Sequence, residues 1–328
     1  MRTILFALAA TIATPVFADV DTVVDQKILP DFANFATSAR AMADAAAEDC
    51  TPGAVVPHYQ ATFDAWMKVQ HLRVGPTEEG ALHVAFWPDD RGFVPKTLSG
   101  LIADEDPVIN DAEDFATVSI AGRGLFALDM LLYDERFDTY GADSYTCDLV
   151  AAIALDLATE AERQSTAWAE DYAPILKGDA PKADGKTMTE MDGFQVLYTQ
   201  IISGIETLEN VRIDRPLGEF DRPRPTRAEA WRSGRPLRNI DISLNAMVAD
   251  ALLLMGSDLP QTFGYLETAQ ATLEKISDPT LASIEEDSGE WLKLQILRDN
   301  VVNVKTAIEV EIGSVLGIEA GFNSADGD

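Results

Sequence analysis

Apolar residues recur at helical spacing along most of the chain. After Pro30 they fall at Phe32, Phe35, Ala39, Met42 and Ala46, steps of three and four that place them on one helix face. The last long segment repeats the pattern at Leu294, Leu297, Val301, Val304, Ile308, Ile312 and Val315. Further helices are predicted near residues 56–73, 109–134, 146–170, 188–210, 227–254 and 260–276. No βαβ alternation and no run of evenly spaced strands interrupts them, so the chain is expected to be all-α.

The stretch KGDAPKADGKT, residues 177–187, mixes Gly, Pro, Lys and Asp without apolar rhythm and marks a boundary. The expected organisation is a helical bundle over residues 19–176, a linker over 177–187 and a second bundle over 188–328, both of four-helix type. Across the linker, Gly124-Leu-Phe-Ala-Leu-Asp129 matches Gly204-Ile-Glu-Thr-Leu-Glu209 at four of six positions when Leu/Ile and Asp/Glu are equated. That echo suggests an internal duplication.

The first eighteen residues, MRTILFALAATIATPVFA, combine one Arg with an apolar run too short to span a bilayer, which predicts a secretory signal cleaved after Ala18. Asp19 follows in place of the cysteine of a lipoprotein, and no later run has the length of a membrane helix. The expected product is therefore an exported protein, periplasmic or otherwise, soluble and monomeric. Removing 18 of 328 residues leaves 310, and losing Arg2 takes the formal charge from −30 to −31. Such a surface repels nucleic acid and anionic membranes. The two cysteines, Cys50 and Cys147, are expected to form a disulfide after export, and the absence of CxxC argues against a zinc or redox site.

Three stretches carry candidate chemistry. In AGRGLFALDMLLY, residues 121–133, two glycines and Asp129 sit in an otherwise apolar helical run, and Gly122, Phe126, Asp129 and Tyr133 share a stripe. Asp129 is either a partly buried carboxylate paired with an arginine or a polar group in a pocket. In FDAWMKVQHLRVGP, residues 63–76, Trp66, Gln70 and Arg73 lie on one face; they line a cavity, or Trp66 is core and Arg73 a cap. The following FWPDDRG, residues 86–92, reads as an ordered turn. Between Arg212 and Arg238 stand eight arginines and no lysine, at 212, 215, 222, 224, 227, 232, 235 and 238, against Asp214, Glu219, Asp221 and Glu229. Arginine suits bidentate recognition of carboxylate or phosphate. Arg235 and Arg238 at the helix start after Ser233-Gly234 could form an anion site, or the arginines bridge to acidic groups of the other bundle.

Enzyme signatures are sparse. His58, His71 and His83 show no HExxH spacing, and His58 and His71 read as surface or capping residues. No GxSxG, Walker loop or GxGxxG occurs.

Taken in order, the signal segment, the Trp66 to Pro76 stretch, FWPDDRG, GRGLFALDMLLY, SGRPLRNI and the terminal GFNSADGD resemble the imelysin family of exported bacterial proteins. The resemblance implies two helical bundles, an exported location and a link to iron uptake; the family also carries a peptidase label. Its hallmark GxHxxE falls on Gly124, Phe126 and Asp129, so phenylalanine replaces the histidine and aspartate the glutamate. Phenylalanine coordinates no metal, so iron is expected only indirectly, as a chelate, with no metal held at this turn. The resulting expectation is a non-enzymatic protein that binds a small anionic ligand, or docks iron-uptake machinery, in the groove between bundles. Trp66, Arg73, Phe126, Asp129, Arg235 and Arg238 are its expected lining.

Overall fold

The computed structural model describes residues 20–314 and residue 317. The signal segment, Val315 and the terminal GFNSADGD lie outside the described residues. Helices account for the described architecture, with only two isolated bridges, Pro181 with Thr187 and Glu219 with Arg222.

Helix α1 (Leu29–Glu48) continues from Val20–Val23 through a π-helical turn at Val24–Ile28. It is followed by α2 (Pro52–Val69), α3 (Thr77–Val84), α4 (Phe93–Asp104), α5 (Gly124–Tyr133) and α6 (Tyr145–Ala167). After residues 177–187 come α7 (Glu190–Thr207), α8 (Pro236–Met255), α9 (Pro260–Leu273) and α10 (Ser288–Ile308). Helix α1 packs on α2 and α6, and α5 packs on α6 and α2. Helices α9 and α10 pair, α8 joins α7 and α9, and α2 meets α8 where the two groups join. Among these helices and their adjoining turns, none is long and apolar enough to cross a membrane.

The periodic residues do what their spacing dictates. Phe32, Phe35, Ala39, Met42 and Ala46 of α1 are buried, as are Leu294, Leu297, Val301, Val304 and Ile308 of α10. Helix α7 opens on a capping box in which the Thr189 hydroxyl accepts from the Asp192 amide while the Asp192 carboxylate accepts from Thr189. Cys50 and Cys147 are bonded, with Cα atoms 5.1 Å apart, tying the start of α2 to the start of α6.

Two helical expectations are corrected. The stretch 109–134 is broken: Pro107–Asn110 and Ile120–Gly122 are 3₁₀ turns, Ala112–Phe115 is a single α turn, and only Gly124–Tyr133 is a full helix. Asp111 and Ser119 divert the chain by accepting hydrogen bonds from the next amides, the local competition that short polar side chains offer to helix. The stretch 227–254 starts later, at Pro236, because residues 228–235 form a turn ending at Gly234, φ +67°. Helices α3 and α4, which flank the FWPDDRG turn, were not legible as periodic segments.

Candidate functional site

Helix α5 carries the site. Gly124 begins it at φ +70°, and a Cβ there would collide with the carbonyl oxygens of Val84 and His83, so only glycine lets α5 start against the end of α3. Neither Gly122 nor Gly124 occupies a helix interior: Gly122 ends a 3₁₀ turn and Gly124 is the first residue of α5.

One turn on, Phe126 and Asp129 face a cavity of about 330 Å³. The FWPDDRG turn closes one side with Trp87, and Phe126 stacks on Trp87 at 6.1 Å with rings 13° apart. Phe126 also meets Phe63 of α2 edge-on at 5.8 Å. The connection from α7 to α8 closes the opposite side with Arg215, Arg227, Trp231 and Arg232. The cavity therefore lies between the two helix groups, the usual position for a ligand cleft.

Asp129 is buried, and its Oδ1 accepts hydrogen bonds from Tyr59 at 2.9 Å and from the Ser233 hydroxyl. No described residue donates to its Oδ2. Burial pushes the carboxyl up from its ordinary range, against the lowering pull of the Ser233 and Tyr59 hydrogen bonds and of Arg232 and Arg235. Asp129 thus lines the cavity held by the Tyr59 and Ser233 hydroxyls, with no arginine hydrogen-bonded to it among the described residues.

The three lining arginines differ in commitment. Arg215 pairs with Asp90 and stands 5.9 Å from the Trp87 ring, and its buried Nε has no partner among the described residues. Arg232 donates to Asp134 at 2.6 Å and lies 4.5 Å over Trp231. The Arg136 and Arg232 guanidiniums hold the Asp134 carboxyl well below the usual range. Arg227 is exposed, and its guanidinium makes no hydrogen bond or salt bridge with a described residue, acting on Asp90 only as a nearby charge.

Of the six expected lining residues, the cavity contains Phe126 and Asp129. Trp66 is instead core, 1% exposed and packed on Phe35 at 5.2 Å. Arg73 lies 5.9 Å from the Trp66 ring, away from the cavity walls. Arg235 is fully buried and donates to Asp64 at 2.7 Å, to Gln60 and to Asn239, while Arg238 grips both oxygens of Asp64. Their guanidiniums face a carboxylate of α2, so the position expected for an anion at Arg235 and Arg238 is taken by Asp64. Burial raises the Asp64 carboxyl, but the Arg238 and Arg235 hydrogen bonds outweigh it and hold the group below its usual range.

His71 is a further correction. It is buried in the junction, its Nε2 2.8 Å from Asp250, because α8 brings that carboxylate against the end of α2. The sequence reading missed Trp87, Arg215, Arg227, Trp231 and Arg232 as individual wall residues. FWPDDRG and the arginine run were both visible, but which side chains of an aperiodic loop face inward depends on a path that no spacing encodes.

The residues at the α5 turn do not fit a directly held metal, since Phe126 offers no ligand atom where the hallmark has histidine. Among the described residues no group of three or more His, Cys, Asp or Glu could hold a metal ion.

The imelysin (peptidase M75) family model matches residues 28–295. No curated protein matches the chain. Among solved structures, an imelysin-like protein from Psychrobacter arcticum 273-4 superposes with a TM-score of 0.77 at 21% identity, covering 92% of this chain and 96% of that one. A structure named for an iron-regulated protein A precursor from Parabacteroides distasonis ATCC 8503 superposes with a TM-score of 0.67 at 14% identity, over 92% and 96% of the two chains.

Proposed function

We propose that this chain, which belongs to the imelysin family, serves iron acquisition as an exported protein that binds a small anionic ligand between its two bundles. The ligand class is a compact polycarboxylate, such as the shell of a ferric chelate. One observation carries the reading: a cavity walled by Trp87, Phe126 and Trp231 opens beside Arg227, whose guanidinium makes no hydrogen bond or salt bridge with a described residue and meets Asp90 of the same wall only as a nearby charge. Arginine recognises carboxylates in bidentate fashion, and the buried Arg215 Nε supplies a second unspent donor. At the inner end, Asp129 presents a carboxyl whose burial favours the neutral, donating form.

The iron assignment draws support from the structural likeness to a protein named as iron-regulated, an associational warrant. Docking of a membrane or surface partner without a small molecule would be favoured by a cleft filled with apolar side chains and an Asp129 sealed by arginine. The open cavity and the hydroxyl partners of Asp129 support the ligand reading instead. Peptidase chemistry would need a metal-bound water and a general base, and the α5 turn has lost the imidazole that would start such a set.

Isothermal titration with ferric citrate and with citrate tests the proposal. Saturable binding of ferric citrate, weakened about tenfold or more in Arg227→Ala, is the expected result, given about 1.5–3 kcal/mol for a hydrogen bond to a charged group. Absence of saturable binding by either anion overturns it.

A further inference from the structure

A second group of unspent donors lies at the other end of α2. Tyr59, Phe63 and Trp66 follow one another along the inner side of that helix, Gln70 caps its end and Arg73 lies in the chain just beyond, so Gln70 sits roughly 16 Å along the axis from the Tyr59 that holds Asp129. Gln70 is 2% exposed and Arg212 5%. Arg212 stands on a π-helical turn, Leu208–Ile213, that follows α7, a local geometry often found where side chains are aimed for function.

The partners of these side chains leave a consistent remainder. Arg212 donates from Nε and Nη2 to both oxygens of Glu229, at 2.6 and 3.1 Å, and from Nη2 to Gln70 Oε1 at 3.1 Å. Among the described residues its buried Nη1 has no partner, and neither has the buried Nε2 of Gln70. Flipping the Gln70 amide would set an NH₂ against the guanidinium, so Oε1 must face Arg212 and Nε2 must point away from it. Arg73 donates from Nε to the Gln70 carbonyl at 2.8 Å, while its two terminal nitrogens bond to no described residue. Every unspent group here is a donor.

Charge repeats the imbalance. Two guanidiniums, Arg73 and Arg212, share one carboxylate, Glu229, whose oxygens already receive Arg212 and the Asn239 amide at 2.8 Å. Burial and the neighbouring Arg212 push the Arg73 guanidinium down to about 10, the response of a cation that lacks compensation. Buried donors without acceptors are costly and rarely left so. A water would serve the two orphaned N–H groups but not the excess positive charge.

We infer that Gln70 Nε2, Arg212 Nη1 and the terminal nitrogens of Arg73 bind a small monovalent anion, a halide or a carboxylate group, at a site separate from the Asp129 cavity. None of the three residues lines that cavity. Arg73 is partly exposed and provides the route of entry. The bound anion ties the end of α2 to the π-helical turn after α7, and so fastens the two bundles to each other.

Two measurements test the site on the full mature protein. Crystals soaked in sodium bromide are expected to show an anomalous peak within hydrogen-bonding distance of Gln70 Nε2 and Arg212 Nη1. A refined water there with no bromide signal overturns the inference. Melting temperatures at constant ionic strength are expected to rise by about 2–4 °C when chloride or acetate replaces methanesulfonate. Arg73→Gln, a substitution at a partly exposed position, is expected to abolish that rise. A response to chloride alone identifies a halide site, a response to acetate as well identifies a carboxylate-accepting one, and equal melting in all three salts rejects the site.

Discussion

The hydroxyl of Ser233 donates to Oδ1 of Asp129, a bond between residues 104 positions apart that joins the arginine-rich connection to α5. Tyr59 of α2 donates to the same oxygen at 2.9 Å. Three segments therefore meet on one carboxylate oxygen, and the other oxygen is left to the cavity. A group in this position does two things at once: it fastens the bundles, and it sets the charge at the inner end of the ligand space.

Asp129→Asn separates those roles. Asparagine keeps an oxygen for Tyr59 and Ser233 and turns an amide donor toward the cavity. Because burial raises the folded-state value of Asp129, its contribution to stability is fully present below the ordinary carboxylate range and is lost as pH rises through the raised value. Wild-type melting is thus expected to fall relative to the variant as pH is increased from 4 to 8, and anionic ligand affinity to fall over the same span. Parallel melting curves for the two proteins would contradict the assignment.

Arg227→Ala is expected to weaken ferric citrate binding about tenfold or more while leaving stability within about 0.5 kcal/mol, since the side chain is exposed and supports nothing in the fold. Urea denaturation beside the titration gives both numbers. Arg232→Ala should behave differently, because it also strips a hydrogen bond from Asp134 and so lowers stability and affinity together.

Reduction of the Cys50 to Cys147 bridge, or its replacement by Cys50→Ser with Cys147→Ser, opens a loop closed across 97 positions. The chain-entropy account gives an upper figure of about 4–5 kcal/mol for a loop of this size. Urea midpoints with and without reductant measure it, and a difference under about 1 kcal/mol would mean that residual structure already restrains the unfolded ensemble.

Much of this was legible from spacing alone, and the remainder has a common cause. The buried stripes of α1 and α10 follow from apolar steps of three and four, and the bond between the two cysteines from their expected export. Phe126 and Asp129 were visible because a carboxylate and an aromatic on one turn of a helix must face the same way. Trp66 and Arg73 were read as sharing such a face, yet the helix ends at Val69 before Arg73, and the packing of Phe35 on Trp66 made Trp66 core, tertiary choices that periodicity does not carry. Arg235 and Arg238 were read for their own chemistry, whereas Asp64, the residue that occupies them, sits in another helix with no local sign of its role.

That Asp64 cluster supplies the sharpest contrast in stability. Arg235 is fully buried and stands 4.4 Å over the Phe63 ring, whereas Arg238, bonded to the same carboxylate, is exposed. Asp64→Ala strands a buried guanidinium and is expected to cost about 2–4 kcal/mol, the scale for breaking one side of a buried pair. Arg238→Ala removes only an exposed partner and should cost less than about 1 kcal/mol. Arg235→Ala removes the cation, its packing on Phe63 and its bonds to Gln60 and Asn239 together, so its cost should approach that of Asp64→Ala. In the double variant Asp64→Ala with Arg235→Ala the loss should fall short of the sum, because the second change relieves the charge stranded by the first. Chemical denaturation of the four proteins decides it: strict additivity would show that the two residues act independently and that the cluster does not hold α2 to α8 as a unit.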